Sequence, residues 1–134
     1  MSWINERIDV IKSKTLAGKG LFSEIYKYRK YLTKDTDNVI RNKIGLITAS
    51  IAREANYFHS LEFFEVSNII YGVNIQELKD IYEEQVKYLY ELDDYLKIIY
   101  LPSECQWKIK GIIKKLLNDD ETYLNELYNL RSLS

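Results

Sequence analysis

One proline and five glycines in 134 residues leave this chain little material for turns. Sheet-rich and loop-rich domains draw on both residues at their turns, whereas helices need neither. The scarcity points to helices joined by few connections, and the apolar residues agree. Ile40, Ile44, Ile47, Ile51, Ala55 and Phe58 step by four and three, the spacing that aligns one helical face. Leu78, Tyr82, Gln85, Leu89, Leu92, Leu96 and Ile99 repeat the pattern, with Ile81, Tyr88 and Tyr95 beside them at sevens. A stripe that wide exceeds a two-stranded seam and suits the core of a bundle.

Breakers and caps predict where these helices stop. Ser2 can cap a first helix carrying Ile4, Ile8 and Ile11, which the Gly18-Lys19-Gly20 pair of glycines ends in a turn. That turn lacks both the GxxxxGK[ST] spacing and the preceding strand of a phosphate loop. Leu21, Ile25, Tyr28 and Leu32 form a second stripe, closed by the run Thr33 to Asn38, in which Asp37 or Asn38 is placed to cap the next helix. Leu61, Phe63, Phe64 and Val66 either extend that helix or begin a short separate piece, and Tyr71 to Asn74 is a connection. Asn74 with Glu77 reads as a capping box, Pro102 ends the long helix behind it, and Ser103 with Gln106 caps its successor. Ile109, Ile112, Ile113, Leu116 and Leu117 follow; Asn118-Asp119-Asp120 then caps a last helix with Tyr123, Leu124, Leu127 and Leu130. The expectation is one all-α domain over residues 1–134, a compact bundle of five to six helices with two long central antiparallel helices near 38–60 and 74–101.

A composition of 46% hydrophobic and 29% charged residues with net charge -1 is globular and demands no polyanionic partner. No apolar run approaches the roughly 20 residues that span a bilayer, and the first residues lack a basic-then-apolar leader. Cys105 stands alone, which excludes an internal disulfide and a cysteine-based zinc site and fits a reducing, cytoplasmic setting. With no second histidine to activate a nucleophile, no covalent chemistry is expected, and neither a cofactor nor a metal. Trp3 and Trp107 are expected in the core, as in most small domains.

Three patterns bear on function. Residues 1–43 hold ten Lys or Arg against five Asp or Glu, and Tyr26 to Lys34 interleaves Lys27, Arg29, Lys30 and Lys34 with tyrosines. Cations alternating with aromatics can contact phosphates and stack on bases, so this segment is the candidate nucleic-acid surface. Second, Glu77, Asp80, Glu83, Glu84, Glu91, Asp93 and Asp94 stud the long helix. Its ExxD at Glu91 to Asp94 resembles half of the metal site of all-helical NTP pyrophosphohydrolases, which bind magnesium with an EExxE and an ExxD. Lys87 replaces the third carboxylate, and both halves share one helix, so no metal site is expected. Glu83, Glu84, Glu91 and Asp94 read instead as an acidic interface for a basic protein partner.

The third pattern, Arg53-Glu54-Ala55-Asn56-Tyr57-Phe58-His59, resembles the R-x(4-6)-H motif of HEPN-domain ribonucleases, small helical bundles that often dimerise. The resemblance implies that Arg53 and His59 of two subunits gather around an RNA phosphate, His59 in acid–base chemistry and Arg53 balancing charge. Glu54 departs from that pattern, and six helical steps set Arg53 and His59 about 120° apart. The leading expectation is a non-catalytic protein that binds another protein, of the inhibitor, immunity, adaptor or regulatory type, such as phage or mobile-element accessory proteins. The alternative is a HEPN-like RNA-binding protein or metal-independent ribonuclease, in which a kink or a homodimer would bring Arg53 and His59 together.

Overall fold

The computed structural model describes residues 3–61, 65–66, 69–70 and 74–133. Its class is all-α. Helix α1 runs Trp3–Lys27, a single 3-10 turn follows at Arg29–Tyr31, and α2 runs Lys34–Leu61. Two-residue strands β1 (Glu65–Val66) and β2 (Ile69–Ile70) pair antiparallel. Helices α3 (Ile75–Leu96) and α4 (Ser103–Leu133) complete the chain. Each helix packs on its neighbours in sequence, and α1 closes the ring against α4. Trp3 at the start of α1 meets Phe58 near the end of α2 at 5.4 Å, and Glu83 and then Tyr90 along α3 meet Tyr128 and then Glu121 back along α4, so these neighbours are antiparallel.

Four helices replace the expected five or six because two predicted breaks are not breaks. Gly18-Lys19-Gly20 lies inside α1. Glycine costs about 1 kcal/mol in a helix interior, but a Cβ at Gly18 would lie 2.8 Å from Thr48 Cγ2, so the bare backbone lets α1 approach α2 closely. Asn118-Asp119-Asp120 lies inside α4, where Asp120 is buried and ion-paired to Lys14 of α1. Cross-helix pairing outweighs the few tenths of a kcal/mol by which aspartate disfavours a helix. No helix is central: α1, α2, α3 and α4 have 25, 28, 22 and 31 residues and surround one core.

The caps are partly those expected. Asn74 accepts from the Glu77 amide at 3.0 Å, while its own amide donates to the Tyr57 hydroxyl at 2.8 Å rather than to Glu77. Thr33, not Asp37 or Asn38, caps α2 through the Thr36 amide at 3.1 Å. At α4 the Gln106 side chain, not the Ser103 hydroxyl, ties down the entry by donating to the Leu101 carbonyl. The expected features at Ser2, Phe63, Phe64 and residues 71–73 lie outside the described residues, as do the side chains of Val66 and Leu130.

The registers of α2 and α3 are as the spacing predicts. Ile40, Ile44, Ile47, Ile51 and Phe58 are buried, as are Leu78, Tyr82, Gln85, Leu89, Leu92 and Leu96, whereas α3 ends at Leu96 and Ile99 is half-buried beyond it. Each fully buried Leu, Ile or Phe contributes about 1.5–3 kcal/mol of transfer free energy, so the aligned stripes supply the main force closing the ring. No helix among the described residues is long and apolar enough to cross a membrane.

Candidate functional site

An ionic centre occupies the inside of the bundle, built from polar positions on or beside the apolar stripes of all four helices. Lys14 Nζ lies 2.6 Å from Glu54 Oε1 and 2.7 Å from Asp120 Oδ1, with all three side chains almost wholly removed from solvent. Arg7 donates to the Tyr82 hydroxyl at 2.7 Å and pairs with Asp119 at 3.2 Å and Glu54 at 3.4 Å. The Tyr82 hydroxyl in turn donates to Glu54, and Gln85 Nε2 donates to Glu54 Oε1 at 2.9 Å. The Arg7 guanidinium also lies over the Tyr123 ring, 3.9 Å from its centroid.

Two cations thus face three carboxylates. Burial pushes the Asp120 carboxyl up to about 7, against the pull of the Lys14 ammonium. Desolvation wins because Lys14 is shared with Glu54. A proton on Asp120 leaves two positive and two negative charges, and its Oδ2 has no hydrogen-bond partner among the described residues. Burial, followed by the negative charge of Glu54, raises the Tyr82 hydroxyl, so it stays a donor. A cavity of about 270 Å³ lined by Trp3, Glu6, Arg7, Asp119, Tyr123 and Glu126 reaches the rim of this centre. Among the described residues, no group of three or more side chains is arranged to hold a metal ion.

The acidic residues of α3 divide. Glu84 turns toward α2, accepting from Ser50 at 3.0 Å and pairing with Arg53. Burial would raise its carboxyl, but the bonds from Arg53 and Ser50 hold it below its usual value. Asp94 pairs with Lys97 at 3.3 Å, and Glu91 is half-buried. Glu83 is exposed and accepts from the Tyr128 hydroxyl of α4 at 2.5 Å. Further along the same seam the Tyr90 hydroxyl donates to Glu121 at 2.9 Å.

Arg53 and His59 do not meet within one chain. Arg53 faces α3 through Glu84, whereas His59 lines a depression against α1 with Ile8, Ile11, Lys12 and Leu16. Lys27, Arg29, Lys30 and Lys34 are exposed at the end of α1, the turn after it and the start of α2, with Arg29 over the Tyr26 ring and Lys30 over the Tyr31 ring.

Trp107, expected in the core, is 75% exposed, whereas Trp3 packs edge-on against Phe58. Trp107 falls about 200° around the helix from Ile109, which is buried, so the register of α4 turns the indole outward. Lys108, Lys110, Lys114 and Lys115 surround it beside α1. This cluster escaped the sequence reading, which placed basic character in residues 1–43 alone. Cys105 is fully buried, and burial, then the charge of Glu24, pushes its thiol up to about 11, away from nucleophilic use.

Antiparallel packing also turns a charge asymmetry along the chain into one along the bundle. Residues 19–45 and 89–115, which share the end holding the α1–α2 and α3–α4 connections, carry twelve Lys or Arg against seven Asp or Glu. The described residues of the opposite half carry seven against twelve. No family model matches the chain, and no curated protein or solved structure matches it at a significant level.

Proposed function

We propose that the chain is a non-catalytic binding protein, of the inhibitor, immunity, adaptor or regulatory type, whose α3–α4 face engages a basic protein. One observation carries the reading: Tyr90 and Tyr128, 45% and 41% exposed, are held over the α3–α4 seam by hydrogen bonds to Glu121 and Glu83. Tyrosines fixed in this way present large amphipathic surface without having to lose side-chain freedom on binding. The carboxylates that fix them supply charge that steers a basic partner. Asp94 continues the acidic row on α3, whereas Glu84 belongs to the α2–α3 contact and supports the fold, and Glu91, seven residues on, lies on the Glu84 side of the helix.

The test uses immobilised protein, extract of the native host, and two variants. Glu83→Lys/Glu121→Lys should abolish capture of a partner that parent protein retains at low salt, with unchanged helicity. Lys27→Glu/Arg29→Glu/Lys30→Glu should retain it. Capture that survives the first substitution and fails with the second sinks the assignment of this face.

A further inference from the structure

We propose that the outer face of α4 around Trp107, together with the basic end of α1, is a binding surface for single-stranded nucleic acid. Trp107, Lys110, Gly111 and Lys114 lie at i, i+3, i+4 and i+7 and share one helical face, with Lys108 and Lys115 flanking it. They line a depression of about 550 Å³ against α1. Trp107 is 75% exposed and has no ring or cation partner among the described residues, so its π-face is open. Leaving so large an apolar side chain in water forgoes about 1.5–3 kcal/mol of burial, which an occupant can supply. A Cβ built on Gly111 meets nothing within 4 Å, so the floor between Trp107 and Lys114 is low enough for a base or sugar to approach.

Charge selects the occupant. Lys110, Lys114 and Lys115 have no ion-pair partner among the described residues, and Lys108 pairs with exposed Glu104 at 3.4 Å. Glu24 is the one carboxylate lining the depression, and Lys27 holds it at 3.1 Å. Glu24 and its partner Lys27 set the end of α1 beside this stretch of α4. Lys27 of α1 and four lysines of α4 thus gather around one open indole. Cations take phosphates, while an aromatic face takes any base, the combination that binds single strands without sequence preference. An acidic peptide satisfies the lysines but leaves the stacking face unused, so nucleic acid fits the surface better.

The experiment titrates a twenty-residue oligothymidylate into Trp3→Phe protein, which leaves Trp107 as its one indole. Stacking should quench the fluorescence, and three lysine–phosphate contacts should weaken binding roughly twentyfold between 50 and 200 mM salt. Trp107→Ala, followed by anisotropy of labelled oligonucleotide, should cost about tenfold or more in affinity, and Lys110→Glu/Lys114→Glu at least as much. Circular dichroism must show both variants folded, which their exposed positions favour. Absence of quenching, or affinity unchanged by either variant, overturns the proposal. Heparin bound as tightly as the oligonucleotide, with both leaving Trp107 fluorescence unmoved, overturns it in favour of an acidic protein.

Discussion

Lys14→Met takes one ammonium from the middle of the bundle while keeping most of the side chain's volume. The parent ammonium lies 2.6 Å from Glu54 and 2.7 Å from Asp120, neither of which is exposed at all. Removing one partner of a buried pair typically costs about 3–5 kcal/mol, because the remaining charge stays in a dry site. Two responses hold the loss near the lower figure: Asp120 can take up a proton, and Arg7 still faces Glu54 at 3.4 Å. About 3 kcal/mol is a large share of the roughly 5–15 kcal/mol that holds a domain together. With a urea dependence of about 1–3 kcal/mol per molar, the midpoint falls by roughly 1–3 M. Urea unfolding followed by far-UV circular dichroism measures this directly. The triple variant Lys14→Met/Glu54→Gln/Asp120→Asn, which also neutralises the stranded carboxylates, should regain at least half the loss. A single variant within about 1 kcal/mol of parent, or a triple variant less stable than the single one, refutes a dry, mutually paired centre.

Asp120 also gives stability a pH dependence. Its carboxyl in the fold titrates at about 7 against an ordinary 3.8, so its contribution is complete below about pH 4 and is lost as pH rises through 7. Parent protein should therefore lose up to about 1.4 kcal/mol per pH unit relative to Asp120→Asn on going from about pH 5 to about pH 8; parallel curves for the two contradict this. Glycine substitutions separate close approach from mere helix weakness. Gly18→Ala gains about 1 kcal/mol of helix propensity but meets Thr48 at 2.8 Å, an overlap costing about 1–3 kcal/mol, whereas Gly45→Ala meets nothing and should gain about 1 kcal/mol. Thermal melts in which Gly18→Ala stabilises as much as Gly45→Ala would contradict the tight α1–α2 contact.

Class and register were legible in the sequence because burial follows the 3.6-residue period, and α2 and α3 keep it without interruption. Helix number was not, since Gly18, Asp119 and Asp120 carry local signals for breaks that contacts with Thr48, Arg7 and Lys14 override. The ionic centre left a trace that could have been read. Arg7 and Lys14 continue the steps of Ile4, Ile8 and Ile11, Glu54 those of Ile51 and Phe58, and Asp120 those of Leu116, Tyr123 and Leu127. Charges at the same phase on three helices, with Gln85 on the fourth, signal a shared buried site. Trp107 was legible too, because the register of Ile109 and Leu116 excludes it from the core. What periodicity cannot show is which end of which helix meets which, so the joining of Lys27, through Glu24, with Lys108 to Lys115 needed the fold.

The centre also bears on the order in which the molecule assembles. Its groups come from all four helices, so no pair of helices alone supplies every partner that Glu54 and Lys14 have in the fold, and water must stay with Glu54 until the ring closes. We expect this desolvation to fall after the main barrier to folding, in the final docking step. Interactions absent at the barrier govern how fast the native state comes apart rather than how fast it forms. The buried charges therefore act as a latch on the lifetime of the folded chain, and Lys14→Met should raise the unfolding rate while leaving the refolding rate nearly unchanged.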